Sequence, residues 1–112
     1  MALPHALPLD LIDMRPLGAA LAPTRSHSLL RTEHLQLMRL VLLAGQGLPT
    51  HHQEGEVCLL CIEGLVRVST TAGERVLQAG YALVLPPAEP HALDAVQDSS
   101  LLALMLLHPQ TA

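Results

Sequence analysis

The sequence predicts a single all-β domain, a sandwich or barrel built from short strands. A chain of 112 residues has room for one hydrophobic core. From residue 28 onward, short apolar runs alternate with turn residues at the spacing of strands rather than helices. Half of the residues are hydrophobic and only 14% are charged, which excludes an intrinsically disordered chain.

The predicted elements are delimited by prolines and by turn residues. Residues 1–27 contain four prolines, and they predict an N-terminal arm with one short strand over residues 9–14 and an irregular stretch over residues 18–23. The barrel domain is expected over residues 28–112. Residues 44–50 are interpreted as a loop, since they read A-G-Q-G-L-P-T. The strands of the barrel are predicted at residues 28–31, 35–43, 56–62, 65–70, 75–78, 81–85, 91–96 and 101–107.

Two of these runs, residues 35–43 and 101–107, do not alternate between apolar and polar side chains. A strand that is apolar on both faces must be covered on both, so we expect the barrel interior on one side and a second subunit on the other. The sequence therefore predicts a two-fold homodimer, with Leu102 and Leu104 among the candidate interface residues. A helix is the alternative for residues 101–107, because Leu, Ala and Met favour helices.

The charge and the apolar runs exclude several functional classes. A net charge of −4 argues against nucleic-acid binding, which needs clustered cations. The longest strictly apolar run, residues 101–107, is far shorter than the ~20 residues of a membrane span. All six basic residues are arginine, which excludes Schiff-base lysine chemistry. No signal-peptide pattern is visible at the N-terminus, so a cytoplasmic location with reduced cysteines is expected.

Two motifs with glycine and histidine lie in the middle of the chain. In the first, Gly45 and His51 are separated by five residues, Gln53 and Val57 follow, and six residues separate Val57 from Gly64. The glycine at its end lies between two apolar runs, which is typical of a hairpin turn that needs a positive φ.

In the second motif, five residues separate Gly80 from Pro86, and His91 and Ala95 follow. Together the two motifs resemble those of the cupin superfamily over residues 45–95. The resemblance implies a cupin-type double-stranded β-helix, also called a jelly-roll barrel, in which His51 and His91 face one another across the interior.

The resemblance also implies a metal site. A metal-bearing cupin uses two histidines and a glutamate of the first motif, together with the histidine of the second. Here His51 and His91 keep two of these positions, but Gln53 replaces a histidine and Val57 replaces the glutamate. The implied cofactor is one divalent transition metal ion, bound by His51 and His91, with Gln53 or Glu56 as a further ligand.

Two changes of register would alter this ligand set. A one-residue bulge would turn Glu56 inward in place of Val57, and a similar slip would bring His52 in beside His51. Without such a bulge, Glu56 and His52 belong to an ordinary solvated loop.

The sulfur-containing side chains are interpreted as structural. On one strand, Cys58 and Cys61 point to opposite faces, so they are expected to form no disulfide with each other. By parity Cys61 points inward, where it would contribute to the pocket wall. Met14, Met38 and Met105 form no stripe and are interpreted as core residues.

Three functions remain open, and catalysis is not decided. The first is a non-catalytic module that binds a small molecule in the barrel pocket. The alternative is a metal-dependent oxygenase or isomerase acting on a small organic substrate. The third is a partner that regulates another protein through its apolar surface. The missing histidine and glutamate favour the first. The pocket is expected to be lined by His51, Gln53, Val57, Cys61 and His91.

Overall fold

The computed structural model describes residues 5–107, and its regular structure is almost entirely β. A single 3₁₀ turn, Gly18–Ala20, lies in the N-terminal arm. The strands of the described residues are β1 (His27–Arg31), β2 (Leu35–Leu42), β3 (Gly47–His51), β4 (Val57–Glu63), β5 (Leu65–Thr70), β6 (Gly73–Gln78), β7 (Ala82–Leu85), β8 (His91–Ala95) and β9 (Ser99–Leu106).

These strands form two antiparallel sheets that enclose the core. One sheet has the order β1-β2-β9-β4-β7 and the other the order β3-β8-β5-β6. Alternate residues of each strand face the interior, as the period of two requires. Val66, Val68, Leu93 and Leu101 are at most 1% exposed in this core. The predicted all-β jelly-roll fold is confirmed.

The strand that was predicted within residues 9–14 is absent, and this prediction was wrong. The arm instead turns there: Leu9 has a φ of +79°, and the amide of Asp10 donates to the carbonyl of Leu7 at 2.9 Å. The Asp10 carboxylate also accepts from the Leu7 amide, which gives the backbone a local alternative to a sheet ladder. The division into an arm of residues 1–27 and a domain of residues 28–112 stays a prediction.

Strand β3 lies where the sequence predicted a loop. It pairs with β8 at the edge of its sheet, and its register shifts between Leu48 and His51. The shift falls at Pro49, which has no N–H to donate to a ladder. Edge strands and bulges are the places where a sheet tolerates proline.

The run over residues 101–107 belongs to β9, so the helical alternative is excluded. β9 lies between β2 and β4 in the middle of its sheet, which explains why it is leucine-rich on both faces. Leu101, Ala103 and Met105 face the core, whereas Leu102 faces outward and is nevertheless only 1% exposed.

The N-terminal arm covers part of that outer face, where a second subunit had been expected. Arg39 on β2 is 3% exposed, and its guanidinium donates to the backbone carbonyl of Asp13 at 3.0 Å. Glu63 on β4 accepts from the amides of Leu17 and Gly18 at 2.7 and 3.0 Å. The chain therefore supplies one of its own covers.

Ser100 on β9 links these two charged side chains. Its hydroxyl donates to the Glu63 carboxylate at 2.7 Å and accepts from the Arg39 guanidinium at 3.3 Å. We call Arg39, Glu63 and Ser100 the arm clamp. Within residues 5–107, no helix is long and apolar enough to cross a membrane.

Candidate functional site

The two histidines of the motifs lie side by side between the sheets. His51 ends β3, His91 begins β8, and the two residues are register partners. Their ring centroids are 4.3 Å apart and the ring planes are inclined by 56°. The structure thus brings together the two side chains that the motif spacing predicts to converge.

Each ring is held by the same local contact. Nδ1 of His51 lies 2.9 Å from the carbonyl of Pro49, and Nδ1 of His91 lies 3.0 Å from the carbonyl of Glu89. A carbonyl oxygen only accepts, so each Nδ1 carries a proton, and Nε2 of a neutral ring carries the lone pair.

Both Nε2 atoms are open to the space between the sheets. No residue among 5–107 makes a hydrogen bond to either of them. Every fully buried side-chain nitrogen and oxygen in this part of the chain does have a hydrogen-bond partner, so the two Nε2 atoms are not fully buried. The Nε2 atoms are therefore reachable by a small molecule or an ion, although His91 as a whole is 4% exposed.

The loop that precedes His91 is fixed from both sides. The Glu89 carboxylate accepts from the backbone amide of Thr71 at 3.0 Å and from the Thr71 hydroxyl. These hydrogen bonds lower the pKa of Glu89, so it stays ionised. The amide of Ala88 donates to the carbonyl of Gln53 at 2.8 Å and so joins this loop to the one that follows β3.

The histidine pair lines a cavity of about 330 Å³. This volume is within the ~300–1,000 Å³ range of small-molecule sites. Apolar side chains dominate the wall, and no acidic or arginine side chain of residues 5–107 contributes to it. The lining consists of Ser26, Met38, Leu40, Leu48, His51, Gln53, Val57, Leu59, His91, Leu93, Ala103 and Met105.

Four of the five predicted pocket residues, His51, Gln53, Val57 and His91, are in this lining, and Cys61 is not. Cys61 does point inward and is 2% exposed, but its thiol lies 3.5 Å from the carbonyl of Glu63 at the other end of β4. Burial raises the pKa of this thiol. The expectation that it forms part of the pocket wall was wrong, because parity gives the face of a strand but not the position along it.

Neither change of register that would alter the metal ligand set occurs. Val57 faces the interior and is 4% exposed, while Glu56 is exposed and its carbonyl accepts from the Leu106 amide at 3.1 Å. This pairing keeps the start of β4 in ordinary register, so the expectation that Glu56 becomes a ligand was wrong. His52 is exposed as well, with Nε2 3.5 Å from the carboxylate of Glu54.

The residues present do not fit a divalent metal ion. Among residues 5–107, no group of three His, Cys, Asp or Glu side chains converges. Two imidazoles and the amide of Gln53 provide no anionic ligand to offset a double positive charge, and valine provides no donor atom at all. No catalytic step through such an ion follows from this geometry.

The sequence interpretation missed most of the apolar wall. Met105 belongs to the core and Met38 packs against it, as predicted, and both also line the cavity. Met14 is 49% exposed, so its assignment to the core was wrong. Parity along β2 and β9 was the available signal, because Met38 pairs with Ala103 on the inner face. The sequence has no signal for how far along the barrel the empty space extends.

The comparisons with known proteins agree with this architecture. Neither a protein-family model nor a curated protein sequence matches the chain. Solved structures do match. A cupin superfamily protein from Desulfitobacterium hafniense has a TM-score of 0.75 at 17% identity, over 88% of this chain and 95% of that one.

Two further structures show the same fold. An RmlC-like cupin from Desulfovibrio desulfuricans has a TM-score of 0.67 at 26% identity, over 72% of this chain and 79% of that one. The DMSP lyase DddQ from Ruegeria pomeroyi has a TM-score of 0.69 at 20% identity, over 78% of this chain and 48% of that one. By its fold, the chain belongs to the cupin superfamily.

Proposed function

We propose that the protein binds a small organic molecule in the cavity between its two sheets. The observation that carries the proposal is the apolar cavity of about 330 Å³ with two open imidazole nitrogens at one place in its wall. Such a site combines apolar area, which drives binding, with a few polar atoms, which orient the ligand. A structurally similar protein, the DMSP lyase from Ruegeria pomeroyi, is named for a reaction on a small molecule.

The polar atoms suggest the kind of molecule. Both Nε2 atoms of neutral rings accept hydrogen bonds, so the ligand should offer a donor such as a hydroxyl or an N–H group. The rest of the wall offers Leu40, Leu59 and Leu93, which favour an apolar body. The metal-dependent oxygenase or isomerase is the less favoured alternative, because the wall has no carboxylate.

Binding is best tested with p-cresol, an apolar ring with one donor, and with toluene, which lacks that donor. Calorimetric titration of metal-free protein should detect p-cresol, and it should bind about 2- to 10-fold more tightly than toluene, the value of one net hydrogen bond. Binding of neither probe, or equal binding of both, would contradict the proposal.

Replacing each of two buried alanines with leucine provides a matched pair of variants. Ala103 lines the cavity and is 4% exposed, whereas Ala95 is 5% exposed in the core but does not line it. Ala103→Leu should fill the cavity and abolish p-cresol binding while the protein stays folded. Ala95→Leu should cost stability and leave p-cresol binding to the folded protein unchanged.

A homodimer and a cytoplasmic location complete the proposal. Outside the arm-covered area, four register partners form an uncharged row across the outer face of the sheet: Leu37, Leu104, Cys58 and Val84. Val84 and Leu104 are 56% and 37% exposed. A second copy is the occupant we favour for this exposed row, since a two-fold axis lays the row against itself without opposing charges.

The free thiols of Cys58 and Cys61 suit a reducing compartment.

A further inference from the structure

We infer that a cleft beside the N-terminal arm is a second binding site, and that its ligand is a small carboxylate with an apolar body. This arm cleft lies between residues 13–17 of the arm and strands β1 and β2. Its volume is about 450 Å³, which suits a small molecule. It shares no lining residue with the cavity between the sheets. The inference therefore goes beyond the proposed function and does not depend on it.

A buried positive charge without a direct counter-ion carries the inference. Arg39 lines the arm cleft and is 3% exposed, yet its guanidinium forms no ion pair with any carboxylate of the described residues. It donates instead to uncharged oxygens, the carbonyls of Asp13 and Arg15 at 3.0 and 3.3 Å and the hydroxyl of Ser100 at 3.3 Å. The Glu63 carboxylate is linked to it through the Ser100 hydroxyl rather than directly. A buried charge is normally paired, because burial removes the water that would solvate it.

One hydrogen-bond donor of this guanidinium is still available. Nε of Arg39 makes no hydrogen bond to any of residues 5–107. Every fully buried side-chain nitrogen in this part of the chain has a partner, so Nε is not fully buried. A carboxylate in the arm cleft would accept this N–H and supply the missing counter-ion. Hydrogen bonds between two charged groups are about twice as strong as those between neutral ones.

The other two charges of the arm cleft cancel, so the site suits an anion of single charge. Nε and Nη2 of Arg15 donate to the carboxylate of Asp13 at 3.0 and 2.8 Å. This pair leaves the positive charge of Arg39 to be balanced. One carboxylate would balance it, whereas a doubly charged anion such as sulfate would leave an excess negative charge near Asp13.

The rest of the lining is apolar apart from one imidazole. Leu17 and Leu29 are half-buried and line the arm cleft from the arm and from β1, together with Pro16. An apolar body placed against them would bury apolar surface, which favours binding. His27 also lines the arm cleft and is the register partner of Arg39, so its ring should report on an occupant.

The test follows benzoate by NMR titration of the full chain, with benzamide as the uncharged analogue. Benzoate should shift the signals of the Arg39 Nε–H and the His27 ring. It should bind about 10-fold more tightly than benzamide, because hydrogen bonds to charged groups are the stronger ones. Sulfate should bind more weakly than benzoate. The ring of His52, which is exposed beside Glu54, should keep its signal in place.

Two variants change the arm cleft, and each has a matched control. Arg39→Gln removes the charge and should weaken benzoate binding about 10-fold, whereas Arg67→Gln removes an exposed arginine of β5 and should not. Because Arg39 also holds the arm, a second variant leaves the arm clamp intact. Leu29→Glu adds a negative charge to the lining and should weaken benzoate binding, whereas Val76→Glu changes a residue of β6 that is 58% exposed and should not. Circular dichroism confirms that each variant is folded.

The inference is overturned if benzoate does not bind, or if benzamide or sulfate binds as tightly. It is also overturned if a folded Arg39→Gln variant or the Leu29→Glu variant binds benzoate like the wild type. Ala103→Leu separates the inference from the proposed function, because it should abolish p-cresol binding and leave benzoate binding unchanged. If Ala103→Leu abolishes benzoate binding as well, benzoate occupies the cavity between the sheets, and the inference fails while the proposed function stands.

Discussion

Replacing Glu63 with glutamine should loosen the N-terminal arm and lower the free energy of unfolding. The carboxylate accepts three hydrogen bonds, from the Leu17 amide, the Gly18 amide and the Ser100 hydroxyl, at 2.7, 3.0 and 2.7 Å. A glutamine side chain has a single acceptor oxygen. In Glu63→Gln, at least one of the three donors therefore faces the NH₂ group of the glutamine, which cannot accept its hydrogen bond. Hydrogen bonds to a charged group contribute about 1.5–3 kcal/mol, and because Glu63 is only half-buried we expect the lower end.

The effect should depend on pH with a definite sign. Burial raises the pKa of Glu63, but the hydrogen bonds from Leu17, Ser100 and Gly18 outweigh it, so the pKa lies below its ordinary value. The folded state therefore favours the ionised form. The stability that Glu63 contributes is complete above the ordinary carboxyl pKa and is lost as the pH falls through the lowered one. The difference between wild type and Glu63→Gln should shrink over that acidic range.

Urea unfolding measures the change in the free energy of unfolding, and hydrogen exchange of the Leu17 and Gly18 amides reports release of the arm. The matched control is Glu74→Gln, because Glu74 forms an exposed ion pair with Arg67 at 3.3 Å, a type worth about 0–1 kcal/mol. Equal losses in the two variants, or unchanged exchange at both arm amides, would refute the role of the arm clamp.

The outer face, the cavity and the thiols give further predictions. Leu104→Asp should convert a dimer into a folded monomer in size-exclusion chromatography with light scattering, whereas Leu102→Asp should unfold the chain because Leu102 is 1% exposed. A monomeric wild type would contradict the first result. Val57→Glu should lower the melting temperature of the metal-free protein, and manganese(II) should restore it by completing a charged ligand set. Iodoacetamide should alkylate half-buried Cys58 well before Cys61, whose thiol pKa is raised by burial; mass spectrometry of the modified peptides checks the order.

The alternation of side chains between the two faces of a strand explains which inferences from sequence succeed. Val57 and Cys61 face inward and Cys58 does not, because alternate residues of a strand share a face whatever it packs against. Turn residues mark the hairpin at Gly64, where φ is +94°. Such features depend only on nearby residues in the chain, so the sequence can predict them without knowledge of strand pairing.

Long-range pairing explains which inferences fail. β3 looks like a loop because Pro49 breaks the pattern, and only the edge position beside β8 lets it pair. The arm looks like a strand at residues 9–14, but the Asp10 carboxylate supplies a local turn there. Parity places Met105 on the inner face of β9, but its position beside Val57 depends on the register of the two strands, which no local signal fixes.

The arm clamp also changes what the leucine-rich composition implies. Strands that are apolar on both faces need two covers, and a second subunit was expected to provide the outer one. The arm already covers the part of that face around Arg39 and Ser100, where polar contacts to the chain itself replace a partner. The row from Leu37 to Val84, which crosses four strands, remains uncovered, and so does Leu106 beside it. The proposed second copy would therefore dock on this part of the face, and a dimer built there would leave both the arm and the cavity unchanged.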